Sequence, residues 1–225
     1  MTRTTNARIA GFTFLFYIAV GILSMVLSGK ATGGEGIAAK LANIAQHAPQ
    51  MRVTAVLNLL TSFTALVLGV ALYGITRDED HELAVLALAC RVCEGLLGAI
   101  SVRSTLGLVW LATAGAGAGA PDAASANAIG TFLLMPGPPI AATFFAVGST
   151  LFCWLLLRGR MIPAPLAWLG FIASVLLVVG LPMQIAGFLH GPVTSFMGMW
   201  LPMAVFEVTV ALWLLIKGVA TPATR

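Results

Sequence analysis

Residues 83–111 read LAVLALACRVCEGLLGAISVRSTLGLVWL, a run that decides the fold and then raises a question about chemistry. About 20 apolar residues in helical form span a bilayer. This run exceeds that length, shows no alternation of period two, and carries two opposite charges, Arg91 and Glu94, near its middle. Lipid cannot satisfy free backbone groups, so a continuous apolar run of this kind is a transmembrane helix.

Working outward, five more runs of the same type lie at about 9–28, 53–76, 138–157, 165–189 and 198–217. The 225 residues are 59% hydrophobic and 9% charged, against roughly 25% charged residues in soluble domains. The expected fold is therefore all-α, an integral membrane bundle of six transmembrane helices, with residues 1–225 forming a single membrane domain. Residues 1–8 precede an apolar run too long for the core of a cleavable signal peptide, so that run reads as the first span.

The net charge of +4 does not indicate a nucleic-acid partner, because the basic residues are scattered at helix ends rather than clustered. Six spans put both termini on one side. With the termini inside, Arg3, Arg8, Arg77, Arg158, Arg160, Lys217 and Arg225 are internal, and Lys30, Lys40, Arg52 and Arg103 are external. That bias favours cytoplasmic termini, and the implied partner is the lipid bilayer.

Between the first two spans, EGIAAKLANIAQHAPQ (35–50) spaces Ile37, Leu41, Ile44 and Ala48 for one helical face, which predicts a short interfacial helix. AGAGAGAPDAAS (114–125) reads as a flexible loop. ANAIGTFLLM (126–135) follows as a dipping or surface helix that stops at Pro136, Pro138 and Pro139. Pro182 and Pro202 are expected to kink their spans.

Arg91 and Glu94 stand at i and i+3, about 60° apart round the helix, so their side chains can meet. Gly95 and Gly98 continue the stripe and mark a face where another helix can approach closely. Counting 1.5 Å per residue from the inner helix ends puts Arg91 roughly 12 Å deep, Glu94 roughly 17 Å and Glu207 roughly 15 Å. A lone charge at that depth costs at least ~2.5 to 3.5 kcal/mol. Pairing Arg91 with Glu94 leaves Glu207 to share the guanidinium or to carry a proton. The cluster reads either as a binding or proton-handling site or as an ion pair that fixes helix packing.

Cys90 and Cys93 have the Cys-x-x-Cys spacing, but an intact helix splays their Cβ atoms and disfavours a disulfide. Their apolar surroundings disfavour the thiolate that reactivity requires. With Cys153 as the remaining sulfur and no histidine inside a span, no metal site is expected. His190 at a span end and His47 and His81 in loops argue against a bis-histidine haem, and no cofactor is expected. Phosphate-loop, zinc-protease and serine-hydrolase motifs are absent from the sequence. The acidic stretch Asp78, Glu79, Asp80 and Glu82 reads as a solvated turn.

With spans and charges placed, the chain resembles the bacterial domain-of-unknown-function family number 4386, a group of uncharacterised polytopic membrane proteins. The likeness runs through RIAGFTFLFYIAVGI (8–22), ALYG (71–74), CRVCEG (90–95), RGRMIP (158–163), WLG (168–170) and FEVTVALWLLIKG (206–218). It implies a multi-pass protein of a bacterial inner membrane, with the family's Arg-x-x-Glu falling on Arg91 and Glu94 and its later glutamate on Glu207. The cysteines lie outside that pattern, and the chain departs from it at GPP (137–139) and IPAPLAWLG. Three functions stay open: transport or small-molecule binding around the cluster, a membrane enzyme acting on a lipid or quinone, and a scaffold or regulatory partner.

Overall fold

In a computed structural model, residues 2–115, 119–135, 137, 139–191 and 196–220 are described, and the chain is all-helical among them. The elements are α1 (Arg3–Ala31), α2 (Ile37–Gln46), α3 (Ala48–Thr76), α4 (His81–Thr113), α5 (Ala123–Leu134), α6 (Ile140–Arg158), α7 (Ala164–Ile185) and α8 (Leu201–Ile216). A π-helical turn at Phe196–Trp200 leads into α8. Six of these stretches are long and apolar enough to cross a membrane, and α2 is the short helix between the first two.

The helices divide into two compact units. The first holds Met1–Tyr17, Phe63–Leu96 and Pro139–Arg225; the second holds Ile18–Ser62 and Leu97–Pro138. In the first unit α6 packs on α7 and α7 on α8, around a core that includes Phe14, Leu68, Phe152, Leu177, Met203 and Leu214. The outward faces are apolar too, with Phe12 62%, Val70 58% and Ile172 55% exposed. A soluble protein rarely leaves so much contiguous apolar surface in water. Hydroxyls on these helices turn inward on their own backbone: Thr76, Thr150 and Thr209 each donate to the carbonyl four residues earlier.

In the second unit α2 lies against α5. Leu41 and Ile44 of α2 are buried with Met51, Leu108 and Leu111. The helical spacing of Leu41 and Ile44 thus supplies the apolar face that the sequence predicts. Asp122 caps α5 by accepting the Ser125 N–H at 2.7 Å, and that hydrogen bond holds its carboxyl below the usual range. Pro136 and Pro138, expected to stop this helix, lie outside the described residues, as do residues 116–118 of the Ala-Gly loop, and the last three residues of the expected loop, Ala123, Ala124 and Ser125, already belong to α5.

Helix ends differ from the predicted ones for local reasons. The fourth span starts at Ile140, capped by Pro139. The fifth ends at Ile185 rather than 189, three residues beyond Pro182, and Gly187 turns the chain away at φ 79°. Pro202 stands in the first turn of α8, where a missing N–H costs little. His81 is the first residue of α4 rather than part of a loop.

The acidic turn between α3 and α4 is more organised than a solvated turn. Asp80 accepts the Leu83 N–H and so caps α4. Arg158 at the end of α6 lies 3.2 Å from both Glu79 and Asp80, and Arg3 donates through Nε to the Ile75 carbonyl. These contacts fasten α1, α3, α4 and α6 at one end of the first unit.

Candidate functional site

The fastening fixes the depth of α4, and α4 presents Arg91 and Glu94 into the first unit's interior. Arg91 Nη1 lies 2.9 Å from Glu94 Oε2, with side chains 2% and 8% exposed. The distance is that of a close ion pair, although its angle gives Oε2 no hydrogen bond. Glu94 Oε1 is satisfied separately, accepting the Tyr17 hydroxyl of α1 at 3.2 Å. The guanidinium carbon of Arg91 sits 5.1 Å from the centre of the Phe145 ring on α6, a cation–π contact that partly replaces lost hydration.

Glu207 of α8 is the third charge, buried at 9% exposure. It lies within the electrostatic field of Arg91 and Glu94, and Tyr17 lies within the field of all three. Cys153 of α6 lies within the field of Glu207. The interior therefore brings together Tyr17, Arg91, Glu94, Cys153 and Glu207 from four helices.

The polar inventory of this cluster is incomplete. Arg91 offers five N–H donors, yet its Nε and Nη2 have no hydrogen-bond partner, and neither does Glu207 Oε1. Arg91 also lines a cavity of about 20 Å³, together with Ser149, Phe152, Cys153 and Phe206 among others. That volume accommodates one water molecule. Buried donors left unpaired are costly, so the free Nε and Nη2 of Arg91 are the incomplete part of the cluster.

Glycines make the close packing possible. A Cβ on Gly69 of α3 would fall 2.8 Å from the Arg91 Cβ, and one on Gly148 of α6 would fall 3.1 Å from the Cys90 Cβ. On α1, a Cβ at Gly11 would meet the Ala211 carbonyl at 2.6 Å, which explains how α1 comes close to α8. Of the two glycines singled out on α4, Gly95 is buried. Gly98 belongs to the second unit, where a Cβ would stand 2.9 Å from Ser62 Oγ.

Sequence reasoning reached Arg91, Glu94 and Glu207 but missed Tyr17, Phe145, Gly69 and Gly148. Counting from Ile9 at 1.5 Å per residue would have put Tyr17 roughly 12 Å deep, level with Arg91. For Phe145 and the two glycines no such signal exists. All three cysteines are free thiols. Among the described residues no three His, Cys, Asp or Glu side chains are grouped to share a metal ion.

Comparison with known proteins gives the family and no activity. Residues 9–218 match the family described as Domain of unknown function (DUF4386), so the chain belongs to it. No curated protein and no solved structure matches the chain.

Proposed function

We propose that the protein is a membrane transport or small-molecule-binding protein that handles a proton at Glu207. The observation that carries this reading is a buried carboxyl with a free oxygen, in the field of a guanidinium that itself has two free nitrogen sites. Arg91 brings one positive charge to two carboxyls. When it pairs with Glu94, Glu207 holds a proton; when Glu207 ionises, the guanidinium is shared and the proton leaves by water. An intramembrane ionisable residue of this kind is by default a functional one.

In this reading the whole chain acts as one membrane domain, because α1, α3 and α4 each contribute residues to both units. The distribution of Lys and Arg supports cytoplasmic termini, and a bacterial inner membrane is the setting that the resemblance implies. Proteoliposomes with a trapped pH dye test the function. Glu207→Gln should abolish pH-driven proton movement while folded yield stays at the wild-type level.

A second reading, a scaffold or regulatory partner held together by the charges, draws support from the small volume of the cavity. It predicts equal loss of folded yield for Glu207→Gln and Arg91→Met. A lipid or quinone enzyme has less support, because a water-sized cavity admits neither ring nor headgroup without rearrangement.

A further inference from the structure

The first unit has a second charged feature, independent of Glu207, where RGRMIP (158–163) meets the end of FEVTVALWLLIKG (206–218). Arg158 and Ile216 end two candidate spans, so Arg160 and Lys217 lie just beyond them, at the level of lipid headgroups. Both side chains are exposed. They line one groove of about 360 Å³ with Met161, Ile162, Pro163, Trp213 and the stretch from Gly218 to Ala220. The Ala220 N–H donates to the Met161 carbonyl at 3.0 Å and ties the two walls together.

The backbone at Arg160 is unusual. The Met161 N–H reaches the Leu156 carbonyl and the Arg160 N–H the Leu157 carbonyl, the paired bonds of a Schellman cap. Arg160 occupies the left-handed position of that cap with φ 52°, alone among the described non-glycine residues in having positive φ. Glycine normally fills this position because a Cβ is disfavoured there. A strained backbone that presents a cation is a reason to look for what the cation meets.

No acid meets it. Arg158, two residues earlier, takes both Glu79 and Asp80, and Arg3 and Arg77 lie near Asp78. Among the described residues neither Arg160 nor Lys217 has an acidic partner within ion-pair distance, and no carboxylate lines the groove. Two cations without an acidic partner among the described residues thus share the groove with apolar Ile162, Pro163 and Val219 and with the Trp213 indole. We propose that this groove binds the phosphate headgroup of an anionic phospholipid from the surrounding bilayer, its glycerol and upper acyl carbons lying on those apolar residues.

The full chain in detergent micelles, titrated with phosphatidylglycerol or phosphatidylcholine and observed by native mass spectrometry, tests the assignment. Two cations at a membrane surface should give roughly thirtyfold tighter retention of phosphatidylglycerol. The double variant Arg160→Gly, Lys217→Gln should bring that preference close to one. Glycine suits the backbone at 160, so its Tm in phosphatidylcholine should equal or exceed that of the wild type, which separates lost binding from lost folding. Inorganic phosphate at the same concentration should not displace phosphatidylglycerol. Equal retention of the two lipids, an unchanged preference in the double variant, or full displacement by inorganic phosphate would each overturn the assignment.

Discussion

Two sets of arginine–carboxylate pairs in the first unit use the same chemistry in opposite surroundings. At the helix ends Arg158 sits 3.2 Å from Glu79 with 45% of its side chain exposed, whereas Arg91 sits 2.9 Å from Glu94 with 2% exposed. Water and salt screen the first pair, and such contacts contribute about 0 to 1 kcal/mol. The second is enclosed, so its value lies less in the attraction itself than in the penalty for leaving either charge alone. The difference also explains why incomplete hydrogen bonding matters only inside: a nitrogen on the half-exposed Arg158 is open to water, while Nε and Nη2 of Arg91 are enclosed.

Breaking the comparison at its strongest point means Arg91→Met, which strands Glu94 and should cost about 3 to 5 kcal/mol in unfolding titrations from mixed micelles. A loss no larger than that of Arg158→Gln would show that depth confers nothing. Tyr17→Phe removes the donor to Glu94 Oε1 and should cost about 1.5 to 3 kcal/mol, checked by the same titration. Gly69→Ala, which pushes a methyl against the Arg91 side chain, should cost about 1 to 3 kcal/mol; an unaltered midpoint would mean that α3 and α4 separate freely. At the small end, Arg158→Gln should shift stability by at most about 1 kcal/mol, and less at high salt. A large, salt-insensitive loss would place that pair in the same class as the buried one.

Much of this contrast is legible in the amino-acid sequence. Continuous apolar runs located all six spans, and Leu41 and Ile44 marked α2, because length and periodicity are local properties of the chain. The i, i+3 spacing gave the Arg91–Glu94 pair, and depth counting gave Glu207. Tyr17 could have been found by the same count. What the sequence withheld is which helices are neighbours: Phe145 reaches Arg91 from α6, and Gly69 and Gly148 matter only because α3 and α6 pass close to α4. The end of α7 at Ile185 was misplaced because hydropathy continues after Pro182 while the helix does not. The acidic turn looked merely solvated because its partners, Arg3 and Arg158, lie far away in the chain.

The central claim is that Glu207 exchanges a proton while Arg91 and Glu94 compensate one another. Infrared difference spectroscopy of the reconstituted protein, stepping the pH, reads it directly through the carboxylic-acid C=O stretch. A band that grows as the pH falls and is missing from Glu207→Gln is the predicted result. Superimposable difference spectra for the wild type and Glu207→Gln would contradict the account.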